Sequence, residues 1–148
     1  MWSSAIVAAL HYLALAIGLP AVFLRGRALK GPLDDAGFRR LFAADAAWGA
    51  AAALWVATGL LRAFGGLEKG SAFYLQSRLF YLKMALFLAI VALEVWPMLT
   101  FTGWRQARRR GTRVDTSRAR VFFQLNHVQL ALAIVMVFVA SAMARGLW

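Results

Sequence analysis

Six ionisable side chains stand within or at the edges of long apolar runs: His11, Asp45, Arg62, Lys83, Glu94 and His127. An ionisable group at the centre of a bilayer costs about 3 kcal/mol on insertion scales, so each of these calls for a partner or a role. Imidazoles ligate haem iron or other metals and carry protons. Carboxylates hold hard or borderline cations, or protons. Hydrolytic chemistry has no support, because the chain carries no Ser-His-acid spacing, phosphate-binding glycine loop or nucleophile motif. It contains no Cys, which excludes disulfides, thiolate metal sites and Cys nucleophiles.

The elements that must position these groups are membrane spans. Of 148 residues, 62% are hydrophobic and only 16% charged, far from the near-half apolar, quarter-charged balance of soluble domains. Four apolar stretches reach the ~20 residues a spanning helix needs: Ser4 to Leu24, Leu41 to Leu61, Leu79 to Phe101 and Val121 to Met143. No alternating ten-residue pattern suggests a barrel. The first stretch has no basic residue before it, and Arg25 and Arg27 after it, so it reads as a retained span and not a signal peptide. The whole chain, 1–148, reads as one four-span domain.

The formal charge of +11 is mostly a topology signal. The first connection holds Arg25, Arg27, Lys30, Arg39 and Arg40, and the third holds Arg105, Arg108, Arg109, Arg110, Arg113, Arg118 and Arg120. Against these 12 stand four, Arg62, Lys69, Arg78 and Arg145, with Lys83 inside a span. Basic loops stay cytoplasmic. The expected protein is therefore an all-α, multi-pass inner-membrane protein, two helical hairpins with both termini outside. Nucleic acid is not an expected partner. The lipid bilayer is, with some attraction of the basic loops to anionic headgroups.

Depth and face sort the polar groups. At about 1.5 Å per residue, His11, Arg62, Lys83 and Ser141 form an outer tier, and Asp45, Glu94 and His127 an inner one, with Gln124 and Asn126 nearby. Lys83, Phe87, Ile90, Glu94 and Pro97 share one helix face, as do His11, Leu15, Gly18 and Val22. Asp45, Trp48, Ala52, Trp55 and Gly59 form the stripe of the second span; Gln124, His127, Ile134 and Ser141 that of the fourth. Pointing these stripes inward makes a four-helix bundle with two polar tiers and an apolar middle. The second span, crowded with Ala and Gly, is expected to be central and tightly packed, and its small residues permit a homodimer. Trp2, Trp96, Trp104 and Trp148 suit the membrane interfaces.

Three functional readings stand. In the first, His11 ligates haem b, with Arg62 and Lys83 near the propionates. His127 is then a candidate second ligand, although its depth differs from that of His11 by about 11 Å. In the second, Asp45, Glu94 and His127 hold a divalent metal or relay protons, as in a small transporter. In the third, the chain is a non-catalytic membrane subunit whose polar groups satisfy one another.

The stretches LHYLALAIGL, FAADAAWGAAAALWVATGLLRAF, GSAFYLQSRLFYLKMALFLAIVALEVWPMLTF and NHVQLALAIVMVFVA resemble a family of small bacterial membrane proteins, domain of unknown function 2214. A more distant likeness is to the HemJ-type membrane protoporphyrinogen oxidases and the CopD-like copper-resistance domains. It rests on His11 in the first span, Lys83 before the apolar run of the third, and Phe122, Phe123 and Asn126 opening the last. That likeness implies haem b and redox chemistry in the outer half of the bundle, with a porphyrin or quinone as a small-molecule partner. Asp45 and His127 stand outside that pattern, so it carries haem binding and not the substrate.

Overall fold

The computed structural model describes residues 2–67 and 70–147. Lys69 and Trp148, counted above among the basic residues and the interfacial tryptophans, lie outside the described residues. The helices are α1 (Trp2–Lys30), α2 (Asp35–Phe64), α3 (Ser71–Gln76), α4 (Arg78–Arg109) and α5 (Ala119–Ala144). Four of them, α1, α2, α4 and α5, are long and apolar enough to cross a membrane. A helix satisfies its own backbone groups, which lipid cannot do. The expected all-α, four-span architecture is the one observed.

Local signals set the ends. The Asp34 carboxylate caps α2 by accepting from Gly37 N, and the Ser77 hydroxyl caps α4 by accepting from Phe80 N. At the end of α4, Gly111 adopts φ +69°. Its N–H reaches Arg108 O at 3.1 Å, and Thr112 N reaches Ala107 O at 3.0 Å. This paired closure satisfies carbonyls that the helix leaves open and needs a left-handed residue, for which glycine carries no Cβ penalty. Beyond it, Ser117 N donates to the Asp115 carboxylate, which holds that carboxyl below the usual range.

The helices overrun the apolar stretches at one end of the bundle. α1 continues six residues past Leu24, α2 begins six before Leu41, and α4 runs eight past Phe101. Arg25 and Arg105, expected in connecting loops, are therefore helical. The short α3, in the second connection, was not expected.

α1 packs against α2 and α5, and α5 packs against α4. The four long helices thus form an arc, α2–α1–α5–α4, whose two edge helices meet through side chains and not through close backbone packing. α2 is an edge helix, which corrects the expectation that it is central. Only one of its faces is used closely: a Cβ on Gly18 of α1 would lie 3.4 Å from the Ala51 Cβ. Ala43, Ala46, Ala50 and Ala53, on another face, are exposed. The core has three layers. Phe38, Leu41, Phe101, Trp104 and Phe122 fill the end near the basic loops. Ala21, Val22, Trp48, Ile90, Ala133 and Met136 fill the middle. Ala63, Tyr74, Phe80 and Met143 close the end that holds the termini.

Candidate functional site

Two polar assemblies flank the middle apolar layer. The first is built on Arg25, which is 1% exposed. It extends the α1 stripe of His11, Leu15, Gly18 and Val22 by one more step of three, and so faces the other helices. Its Nη1 and Nη2 donate to Glu94 Oε1 and Oε2 at 2.7 and 2.8 Å, the two-pronged pairing that guanidinium geometry favours. Nη1 also reaches Asp45 Oδ1 at 3.0 Å. Nε donates to Asn126 Oδ1 at 2.7 Å, and Nη2 to Gln129 Oε1 at 2.8 Å. One cation therefore ties α1 to α2, α4 and α5.

The acids are satisfied in turn. Glu94 Oε2 accepts from Trp48 Nε1 at 3.0 Å and from Gln129 Nε2 at 2.6 Å. Asp45 Oδ2 accepts from Arg105 Nη2 at 2.6 Å. Two guanidinium groups and two carboxylates give this network no net charge. Among the described residues, no buried side-chain polar atom lacks a partner. Asn126 enters the network because Gly26 leaves room for it, since a Cβ there would lie 2.8 Å from Asn126 Nδ2. Gly26→Leu is expected to push Asn126 off Arg25 and lower stability by about 1–3 kcal/mol, through overpacking and a lost buried bond. Thermal unfolding in detergent reads this, and an unchanged midpoint would contradict it.

His127 is not part of this assembly. It is exposed, its Nδ1 lies 2.8 Å from Phe123 O of its own helix, and its ring packs on Phe123 at 4.2 Å between centroids. The buried face of α5 carries Phe122, Asn126, Gln129, Ala133 and Met136, one position away from the stripe expected at His127. Gln124 is exposed for the same reason. Asp45, Glu94 and His127, grouped above as one candidate metal site, do not converge in the structure. The two acids are joined by Arg25, and no set of three metal-ligating side chains occurs among the described residues. His127 is likewise far from His11 in the bundle, since the middle layer intervenes.

The second assembly lies in the half that holds the termini. A cavity of about 690 Å³ opens among the helices there. Its walls include all four groups of the expected outer tier, His11, Arg62, Lys83 and Ser141. The rest is mainly apolar, with Trp55, Phe87 and the thioethers of Met84, Met136 and Met143. The arc arrangement explains the space, because α2 and α4 stand apart. α3 contributes Phe73 and Tyr74 as part of its lining.

His11 is held by Thr58, with Nδ1 at 2.8 Å from Oγ1. The Thr58 hydroxyl donates its one proton to Leu54 O at 2.6 Å. With that proton on a backbone carbonyl, the hydroxyl accepts from His11 Nδ1–H, and in that neutral tautomer the lone pair is on Nε2. Trp55 packs on the ring at 5.9 Å between centroids, and a Cβ on Gly59 would sit 3.5 Å from His11 Cε1. The imidazole is thus held in orientation by Thr58 and Trp55, as the partners of ligating histidines hold theirs.

A family model described as a predicted membrane protein, DUF2214, matches residues 3–147. The chain belongs to the DUF2214 family. No curated protein and no solved structure matches it. As a DUF2214 protein with four spanning helices it is a multi-pass membrane protein, and both assemblies lie within the matched segment.

Proposed function

We propose that the cavity around His11 binds haem b and that the protein serves a redox or electron-transfer role in the bacterial plasma membrane, with its termini outside. The observation that carries this reading is the convergence of His11, Arg62 and Lys83 on one largely apolar cavity of about 690 Å³. Its size is within the roughly 300–1,000 Å³ of small-molecule and cofactor sites. His11, held through Nδ1 with Nε2 open, suits an iron ligand. Arg62 and Lys83 supply positive charge for two carboxylates, and the walls of Trp55, Phe87 and Leu15 suit a macrocycle and exclude water. Bound there, haem would supply one-electron chemistry. The cavity offers thioethers as the other iron-ligand type, in place of His127. The apolar middle layer separates this site from the Arg25 network, which supports a structural role for that network and leaves the cavity as the seat of chemistry.

The visible spectrum of detergent-purified protein tests the proposal. Protein from haem-replete cells is expected to show an intense Soret band that shifts on reduction with dithionite. A colourless preparation would overturn it.

A further inference from the structure

The ends of α2 and α4 near the basic loops frame a second concavity, an open groove of about 390 Å³ lined by Phe42, Arg105, Arg108 and Arg109. We propose that this groove binds the phosphodiester of an anionic membrane lipid, with Phe42 against its glycerol and upper acyl region.

The first argument is preorganisation. The Arg105 Nη2 group donates to Asp45 at 2.6 Å and to Phe42 O at 3.2 Å, and its Cζ sits 5.0 Å over the Phe42 ring. Arg108 Nη2 donates to Asp35, and its Cζ sits 4.6 Å over Phe38. Each guanidinium is fixed by an acid and an aromatic face, yet each commits only Nη2 to protein acceptors among the described residues. The Nε and Nη1 donors are left for an oxyanion, for which a planar fork is well matched.

Charge is the second argument. Asp35 pairs with Arg108, and Asp45 is shared between Arg105 and the buried Arg25. Arg109 has no acidic partner among the described residues, so the groove keeps a positive excess. Placement is the third. Arg105 lies 27 residues past Arg78 in one continuous helix, about 40 Å along the axis at 1.5 Å per residue. That exceeds a hydrocarbon core of ~30 Å and reaches the headgroup layer. A basic pocket between spanning helices at this level is the setting in which acidic headgroups are held. The aromatic floor favours a lipid phosphodiester over free phosphate, which has no apolar part to bury.

The test is native mass spectrometry of the full-length protein released from vesicles of equal phosphatidylglycerol and phosphatidylcholine. Wild type is expected to retain phosphatidylglycerol in several-fold preference. Arg108→Gln/Arg109→Gln is expected to lose that preference, while Arg110→Gln/Arg113→Gln, with the same charge removed from positions outside the groove lining, keeps it. Phe42→Ala, which alters no charge, is expected to weaken retention and keeps the proposal testable if the double variant does not fold. Equal retention of the two lipids by wild type would overturn the proposal. So would equal losses in both double variants, which would mean diffuse attraction, or displacement of the lipid by millimolar inorganic phosphate, which would mean a simple anion site.

Discussion

Arg25→Met is expected to destabilise the protein more than any other single substitution, by about 3–5 kcal/mol. The reason is the charge it leaves behind. Without the guanidinium, Glu94 keeps only Trp48 Nε1 and Gln129 Nε2 as donors, and Asp45 keeps Arg105. Asn126 and Gln129 each lose an acceptor's partner in a region where Asn126 is 2% exposed and Gln129 fully buried. A part-buried carboxylate stripped of its counter-ion, as Glu94 would be at 22% exposure, is costlier than an apolar replacement of the whole pair. Arg25→Met/Glu94→Met is therefore expected to be more stable than Arg25→Met alone. Denaturant unfolding in mixed micelles, run as a double-mutant cycle, measures both effects. A loss under about 1 kcal/mol for Arg25→Met would show that water reaches the network and does the work assigned to Arg25. Arg25→Lys is expected to fall between, because an ammonium cannot pair in two-pronged fashion with Glu94 while also reaching Asn126.

The second large effect is expected at His11. If the cavity holds haem, His11→Ala removes the Soret band from purified protein while the helical circular dichroism stays at the wild-type level. Thr58→Val tests the orientation of the ring. It removes the acceptor of Nδ1–H and is expected to weaken haem retention by roughly 10-fold, in the range seen when the partner of a ligating histidine is lost. His127→Ala provides the contrast, with an unchanged spectrum, since that exposed side chain is not among the residues lining the cavity. A His127→Ala protein that lost its Soret band would reverse the assignment of the ligand.

Much of this architecture is readable from residue order. Hydropathy is additive along the chain, so four spans emerge from composition in windows of about 20 residues. The grouping of His11, Arg62, Lys83 and Ser141 at one level also follows, because rise per residue converts position into depth. Asp45 and Glu94 share a level for the same reason. What fails is the reading of flanks and faces. Arg25 and Arg105 follow apolar runs, and a cation in that place reads as the end of a span. The signal to the contrary was the α1 stripe itself, which continues from Val22 to Arg25. For α5, successive residues point about 100° apart, so a face drawn through His127 lies one position away from the buried face through Asn126. The polar pair Asn126 and Gln129, three apart, marks the true face.

Residue order alone specifies four membrane-spanning helices, with their polar side chains sorted into two levels around an apolar middle. Tertiary structure alone decided which of those groups meet. Arg25 became the hub, and not a loop charge, because α2, α4 and α5 each bring an acceptor to it. The cavity exists because α1 and α5 occupy the middle of the arc and hold α2 and α4 apart. These are properties of how helices are rotated and paired. No single helix encodes them, because a buried cation is tolerable only when residues distant in sequence supply its counter-charges and hydrogen-bond partners.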